Sequence, residues 1–257
     1  MKQETRREYL IRYLLDENPR YKDVEIPESE QDQKDLLRGL FNVRMPMAVD
    51  EDFLSTQDKY LREEIRGRGV TDIKDLEQIQ KDIYLWKGDI TALKCGAIVN
   101  AANCKMLGCF IPNHRYIDNA IHTYAGVQLR YRCEEIMREQ GQDEGTGKAK
   151  ITPAYNLPCD YVIHTVGPIV YGALTEVEEQ QLASCYESCL ALADENRVKS
   201  IAFCCISTGE FHFPNQRAAE IAVQTVKRYK EESKSDIEVV FNVFKDIDYE
   251  IYRKLLG

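Results

Sequence analysis

The sequence predicts a layered α/β fold, in which helices cover both faces of a sheet, preceded by a helical N-terminal extension. Two observations carry this prediction. From residue 83 onward, short apolar runs alternate with longer amphipathic segments, whereas residues 1–80 show only helical periodicity. The chain has 257 residues and 44% hydrophobic content, which is enough to bury a sizeable core.

The extension, residues 1–80, is charge-rich, and its apolar residues recur at the three- and four-residue spacing of amphipathic helices. The dipeptides Asn18-Pro19 and Ile26-Pro27 interrupt the pattern, and a third segment, residues 53–65, is followed by glycines. We therefore expect about three short helices that pack together. Their apolar positions are Tyr9, Leu10, Tyr13 and Leu14 in the first segment and Leu36, Leu37, Leu40 and Phe41 in the second.

Residues 81–257 are expected to form the second unit, in which strands alternate with helices. The apolar runs predict buried strands at residues 83–86, 97–100, 161–166, 201–206 and 237–243. Longer segments with one apolar face predict helices at residues 118–138, 176–195, 214–231 and 247–256. This alternation predicts that the helices lie on both faces of the sheet.

Charge and cysteine usage narrow the class of protein. The net charge is −9, which would repel a phosphate backbone and argues against extended nucleic-acid binding. Neither a signal-peptide pattern nor an apolar run of the roughly 18 residues needed to cross a bilayer is present, so we expect no membrane association. Nine cysteines, several inside apolar runs, are typical of a reducing cytoplasm and not of a secreted disulfide framework.

One candidate ligand loop follows the apolar run at 201–206 and contains Ser207, Thr208, Gly209, Glu210 and Phe211. A glycine-containing loop that leads from a strand into a helix exposes backbone amides beside a positive helix end, which suits a pyrophosphate. The alternative is a loop that serves only to turn the chain.

A second candidate consists of Gly88, Asp89 and Ile90, followed by Asn100-Ala101-Ala102-Asn103 at the end of the next apolar run. Ligands in open α/β sheets bind beyond the carboxyl ends of the strands, where a carboxylate and two amides could bind an adenine and a ribose. The alternative is ordinary turn chemistry, since Gly, Asp and Asn are common turn residues.

The order and spacing of these motifs resemble macrodomains over residues 80–257. The segments that carry the resemblance are residues 88–91, 97–103, 117–122, 125–126 and 202–213. Residues 106–112, 148–158 and 203–209 resemble more narrowly the zinc-containing microbial branch, which also has a helical N-terminal extension. The resemblance implies a three-layer α/β/α fold with a mixed sheet and a cleft for ADP-ribose.

The resemblance also implies a role for each matching residue. Asp89 would accept a hydrogen bond from the adenine amino group beside the Ile90 amide, Asn103 would hold the distal ribose, and the amides of 207–211 would hold the pyrophosphate. Phe244 is a candidate for stacking on adenine, with a core aromatic as the alternative. Asp118 would be a general base, and helix N-capping is its alternative or additional role.

The branch holds zinc with a Cys-x4-His-x-Cys pattern, of which this sequence has Cys109 and His114 but Tyr116 at the third position. A phenol, whose ordinary pKa is about 10, is a poor zinc ligand, and two protein ligands make a weak site. Cys104 is a candidate replacement for the missing thiolate. Zinc binding and an unliganded Cys109 beside a hydrogen-bonding His114 therefore both stay open.

The leading functional hypothesis is a hydrolase that removes mono-ADP-ribose from a modified protein, with ADP-ribose or the modified protein as partner. The alternatives are a reader that binds ADP-ribose without turnover and a hydrolase of O-acyl-ADP-ribose. Asp118 and residues 107–121 favour the enzyme, because a binding module has no evident need for them. The resemblance further suggests a lipoyl-carrier protein and a sirtuin-type transferase as partners.

Overall fold

A seven-stranded sheet forms the centre of the fold in the computed structural model, which describes residues 1–257. The order across the sheet is β2 (Gln78–Gln80), β3 (Ile83–Lys87), β9 (Glu238–Val243), β8 (Ser200–Phe203), β5 (Ala97–Ala102), β7 (Tyr161–Val166) and β6 (Ala149–Pro153). The strands β1 (Thr71–Asp72) and β4 (Leu93–Lys94) form a separate parallel pair.

The five central strands, β3, β9, β8, β5 and β7, run parallel, whereas the edge strands β2 and β6 pair antiparallel with their neighbours. The sheet is therefore mixed, as predicted. Four of the parallel strands, β5, β7, β8 and β9, are almost continuously buried, as expected when helices cover both faces.

Five helices belong to the layers on the sheet. These are α4 (Ile117–Ala125), α5 (Val127–Gln140), α6 (Glu176–Glu195), α7 (Asn215–Ser233) and α8 (Asp246–Leu256). Helices α6, α7 and α8 pack side by side as one layer, and α4 and α5 form the other. Together with the sheet they enclose one large apolar core, which confirms the predicted α/β architecture.

The extension contains the three predicted helices, α1 (Gln3–Asp16), α2 (Glu30–Val43) and α3 (Glu51–Gly67). Ser29 caps α2 and Asp50 caps α3, each by accepting a hydrogen bond from a first-turn amide, which satisfies a donor that the helix leaves free. The apolar faces of the three helices meet in a second small core around Leu10, Leu37 and Phe53.

One predicted helix is divided in two, one predicted strand ends early, and four short strands were missed. Residues 118–138 are not one helix, because Gly126 at φ 97° separates α4 from α5. The strand predicted at 201–206 ends at Phe203, where the chain turns into a loop. The short strands β1, β2, β4 and β6 carried too few apolar residues to be recognised.

The predicted boundary at residue 80 lies between β2 and β3, which pair with each other. Pairing with the main sheet thus begins before residue 80, and the division into residues 1–80 and 81–257 stays a proposal. None of the helices combines the length and apolar character that a bilayer crossing requires. All nine cysteines are free, and six of them are buried.

Candidate functional site

The candidate residues lie at one edge of the sheet, because the carboxyl ends of parallel strands meet there. The strand order places two loops, those after β3 and after β9, at one end of this edge. The loop after β8 lies in the middle, and the loop after β5 lies at the other end. The distance from β3 to β5 is about 14 Å, three strand spacings. These loops therefore lie side by side along one edge of the sheet.

Asp89 lies immediately beyond β3 and is held by three hydrogen bonds. Its Oδ1 accepts from the amide of Thr91 at 2.9 Å and from the Thr91 hydroxyl at 2.6 Å, and its Oδ2 accepts from Arg68 Nη1 at 2.6 Å. The guanidinium of Arg68 also lies 3.7 Å from the ring centre of Tyr124. The carboxylate is 44% exposed and thus still accessible to a ligand.

Gly88 precedes Asp89 and allows the chain to pass over Trp86. A Cβ at position 88 would lie 2.2 Å from the indole ring, which no side chain tolerates. The amide of Gly88 donates to the carbonyl of Val243 at 3.1 Å, and so ties this turn to the end of β9. Ile90 is buried behind the turn.

Phe244 follows β9 and is 77% exposed, so the alternative of a core aromatic is wrong. The core aromatic of this segment is Phe241, which packs against Tyr252. Because β9 is the neighbour of β3, Phe244 and Asp89 follow adjacent strands. Stacking of Phe244 on adenine stays a prediction.

The loop after β8 comprises residues 204–213 and is named the phosphate loop after the ligand that the sequence predicts for it. Its amides at Thr208, His212 and Phe213 donate to carbonyls within the loop, whereas those of Ser207, Gly209, Glu210 and Phe211 donate to no backbone acceptor. Successive free amides at one turn form a concave donor surface for an anion. Binding of an anion by these amides stays a prediction.

The phosphate loop is fixed in place by its neighbour, the segment after β7. Ser207 adopts φ 64° and is buried, and a Cβ at Gly167 would lie 2.1 Å from its hydroxyl. The amide of Val170 donates to the carbonyl of Phe211 at 2.9 Å. The two loops are therefore packed against each other and joined by a backbone hydrogen bond.

Asp118 lies at the start of α4, below the end of β5. Its Oδ1 accepts from Asn100 Nδ2 at 2.8 Å, while its Oδ2 accepts no hydrogen bond from the protein and is not sealed from solvent. The N-cap of α4 is Tyr116, so N-capping is not the role of Asp118. One carboxylate oxygen is anchored and the other is free to contact a water or a ligand.

Burial raises the pKa of Asp118 to about 6, against opposing effects of the Asn100 hydrogen bond and the charge of Arg130. The neighbouring histidines are fully buried, and burial lowers the pKa of His122 strongly and that of His164 to about 4. Both rings are therefore neutral near pH 7. Asp118 is the group in this cluster that titrates closest to neutrality.

Asn103 and Cys104 follow β5. Asn103 Nδ2 donates to the carbonyl of Gly108 at 3.1 Å, and its Oδ1 accepts from the amide of Lys105 at 3.0 Å. Cys104 Sγ lies 3.5 Å from Asp143 Oδ2 and does not form a ligand group with Cys109 and His114, so its role as a replacement ligand stays a prediction. The contact of Asn103 with a ribose stays a prediction.

The residues that match the zinc pattern are only partly brought together. Cys109 Sγ lies 3.7 Å from His114 Nδ1, a separation that two ligands of one ion could adopt. The Tyr116 hydroxyl instead donates to the Glu210 carboxylate in the phosphate loop, and this hydrogen bond raises the pKa of Tyr116 further. A three-ligand set for zinc does not exist here.

A second group of possible ligands, His122, Cys133 and His164, lies in the interior, with the ligand atoms within 4.8 Å of one another. Asn100 Nδ2 donates to His164 Nδ1 at 3.1 Å, so the proton of the neutral ring is on Nε2, which bonds Thr152 Oγ1 at 3.0 Å. Both nitrogens of His164 are thus already used. This group could hold a metal only by giving up these bonds.

Several side chains of the site were not predicted from the sequence. Arg68 contacts Asp89 from the end of α3, and Arg38, Asn42 and Arg130 contact the loop before α4. No periodicity or motif indicates these residues, because each one acts across a long separation in the chain. A structure was needed to find them.

Comparison with known proteins identifies the family. The family model named Macro domain matches residues 99–222. A Protein-ADP-ribose hydrolase of Treponema medium is 57% identical over the full length of both chains, and one of Staphylococcus aureus (strain MRSA252) is 51% identical over 97% of this chain and 94% of its own. The chain belongs to the macro domain family.

Solved structures show the same fold. The Trypanosoma brucei macrodomain in complex with ADP-ribose superposes with a TM-score of 0.67 at 29% identity, and covers 90% of this chain and 97% of its own. The Oceanobacillus iheyensis macrodomain with ADP gives a TM-score of 0.63 at 36% identity over 70% of this chain and 93% of its own.

Proposed function

We propose that this chain hydrolyses the bond between mono-ADP-ribose and a protein side chain. The relatives that match over nearly their whole length carry the name of this activity. The observation that carries the proposal within the structure is Asp118, a carboxylate with one anchored and one accessible oxygen, at the same edge of the sheet as the loop with free backbone amides.

The ligand is assigned along the strand order. Adenine lies at the β3 and β9 end, where Asp89 accepts from its amino group, the Ile90 amide lies beside it and Phe244 stacks on the ring. The pyrophosphate lies on the free amides of the phosphate loop, which bind an anion without requiring a positive net charge. The distal ribose then reaches Asn103 and Ala101 beside Asp118.

The reaction needs a water molecule at the anomeric end of the ribose. In the proposed mechanism Asp118 Oδ2 orients this water and takes up its proton, while the oxygen attacks the ribose carbon and the bond to the protein side chain breaks. The departing side chain takes up a proton. Asn100 holds the other oxygen of Asp118, so that the carboxylate keeps one orientation.

The test is a release assay with the purified chain and a mono-ADP-ribosylated protein. We expect free ADP-ribose to appear at a rate proportional to the concentration of the chain. Binding of the modified protein without release would favour the reader, and release only from O-acyl-ADP-ribose would favour the metabolite hydrolase. A lipoyl-carrier protein modified by a sirtuin-type transferase is the protein substrate to include, as suggested by the family resemblance.

Asp89→Ala is expected to weaken ADP-ribose binding by about 1 to 3 kcal/mol, because a charge-assisted hydrogen bond is lost. The fold should persist, since the side chain is partly exposed. Calorimetry measures the affinity. Asp160→Ala is the matched control, because Asp160 is exposed before β7, at the opposite ends of the strands. Equal affinities of the two variants would remove Asp89 from the site.

Zinc has no step in this mechanism, because Tyr116 bonds Glu210 and leaves Cys109 and His114 as a pair. Tyr116→Cys should complete a three-ligand set with one open position, so that bound zinc rises toward one ion per chain. Metal analysis of the purified variant and the unaltered chain measures this. If the variant binds no more zinc than the unaltered chain, residues 109–116 are not an interrupted zinc site.

A reducing, cytoplasmic location agrees with nine free cysteines and stays part of the proposal.

A further inference from the structure

The loop between β5 and α4, residues 103–116, carries Asn103, Cys109, His114 and Tyr116 and leads directly into Asp118. It contains no helix or strand, so its buried backbone groups need partners from elsewhere. Side chains supply several of them. Asn119 of α4 donates to the carbonyl of Ile111 at 3.3 Å, and the other partners involve the extension.

Asn42, near the end of α2, is the first of these partners. It is 1% exposed, its Oδ1 accepts from the amide of Asn113 at 2.9 Å, and its Nδ2 donates to the Thr123 hydroxyl at 2.8 Å. Asn113 has φ 56°, a conformation that needs support from its surroundings. One side chain of the extension thus joins the tip of the loop to the helix that carries Asp118.

Arg38, one turn earlier on α2, is the second partner. Its Nη2 donates to the carbonyl of His114 at 2.9 Å and to Asn119 Oδ1 at 3.2 Å. Asn42 and Arg38 therefore bind the loop at two neighbouring backbone groups, the amide of Asn113 and the carbonyl of His114. Both side chains extend from the same face of α2. The spacing of four residues places their side chains on one side of the helix.

Arg130 of α5 joins the end of α2 to the beginning of the same loop. It donates to the carbonyls of Phe41 at 3.1 Å and Arg44 at 2.6 Å, which the end of α2 leaves without helical partners. The same guanidinium donates to the carbonyl of Leu107 at 2.7 Å. The end of α2 and the loop are held by one cation.

We propose that α2 of the extension is part of the active site, with Asn42 and Arg38 as positioning residues that hold the loop 103–116 and the start of α4 in the geometry for turnover. The inference rests on the proposed hydrolase function. It follows from two buried or half-buried side chains that satisfy loop backbone groups within three residues of Tyr116. Neither residue forms a hydrogen bond with Asp89, Phe244 or the phosphate loop.

The experiment compares Asn42→Ala and Arg38→Met with Asp50→Ala in the full chain. Asp50 caps α3 through the Phe53 amide, so its loss weakens the extension without touching the loop. The measurements are kcat and KM for release from a mono-ADP-ribosylated protein, the Kd for ADP-ribose, and the unfolding midpoint. Trp86, the single tryptophan, packs at Gly88 and provides a fluorescence signal for binding.

We expect Asn42→Ala to lower kcat by about 10- to 100-fold, because small displacements of catalytic groups have effects of this size. The Kd for ADP-ribose should stay unchanged. Arg38→Met should show the same split to a smaller degree, and it decides the question if Asn42→Ala does not fold. Asp50→Ala should lower the unfolding midpoint and leave kcat unchanged.

Two results would overturn the inference. In one, kcat of Asn42→Ala and Arg38→Met equals that of Asp50→Ala at a temperature where all are folded. In the other, Kd rises in parallel with the loss of kcat, which indicates a general disturbance. Absence of release by the unaltered chain would instead refute the proposed hydrolase function, and the inference with it.

Discussion

Asp118→Asn should lower the rate of ADP-ribose release by about 100- to 10,000-fold, the contribution that a positioned general base makes. The amide keeps the size of the carboxylate but cannot take up a proton at neutral pH. The affinity for ADP-ribose should change little, because Asp118 lies at the distal end of the cleft. The measurements are single-turnover release and calorimetry, with Asp160→Asn as the control.

The pH dependence of release follows from the same residue. Burial raises the pKa of Asp118 to about 6, so the carboxylate becomes ionised, and able to act as base, as the pH rises through this value. We expect kcat/KM of the unaltered chain to rise toward a plateau above about pH 6. The charged group near Asp118 is Arg130, and His122 and His164 stay neutral over this range because burial lowers both pKa values.

Stability should respond in the opposite direction. The folded chain holds the Asp118 proton more tightly than the unfolded chain, whose carboxyl has a pKa of about 3.9, so this group makes folding less favourable as the pH rises from about 4 to 6. Asp118→Asn should therefore not lower the unfolding midpoint at neutral pH. A variant that loses activity and stability together would argue that Asp118 is structural.

Arg130→Ala should destabilise the chain by about 3 kcal/mol or more, because several buried carbonyls lose their donor at once. The side chain is almost fully buried and bonds Leu107, Phe41 and Arg44, and its guanidinium lies 4.4 Å from the ring centre of Phe110. Burial lowers the pKa of Arg130 to about 10, so the cation persists at neutral pH. Denaturant unfolding measures the loss.

Arg132→Ala is the matched control for this prediction, on the same helix. Its side chain is 42% exposed and pairs with Glu135, so its removal should cost less than about 1 kcal/mol. Arg130→Lys should recover little stability, because an ammonium group cannot reach the carbonyls on both sides as the planar guanidinium does. Equal stability of the Arg130 and Arg132 alanine variants would show that the bridge between α2 and the loop contributes nothing.

The fold could be predicted from the sequence wherever an apolar segment is clearly bounded. The helix at 176–195 and the strand at 161–166 have the predicted bounds, since residues that break regular structure flank each of them. The single helix predicted at 118–138 was wrong because apolar residues continue through Gly126, whose φ of 97° ends α4 without interrupting the pattern. Strand β6 was missed because it is a half-buried edge strand.

The candidate site, like the fold, could be predicted from the sequence only in part. Asp89 and the phosphate loop could be located because their chemistry lies in contiguous motifs at strand ends. The contacts of Arg68 with Asp89 and of Asn42 with Asn113 join residues 21 and 71 positions apart, and no local pattern encodes them. The hydrogen bond between Tyr116 and Glu210 could not be predicted either, because the two residues are 94 positions apart.

The pairing of β3 with β9 has a consequence for how the molecule forms. Ile83 is opposite Val239, so the first long strand of the sheet meets its partner only near the end of the chain. Such distant pairings make folding slow, because a long loop must close before the contact stabilises it. During synthesis the three helices of the extension can collapse early from local contacts. The nucleotide end of the cleft, by contrast, forms only after residue 243 has left the ribosome.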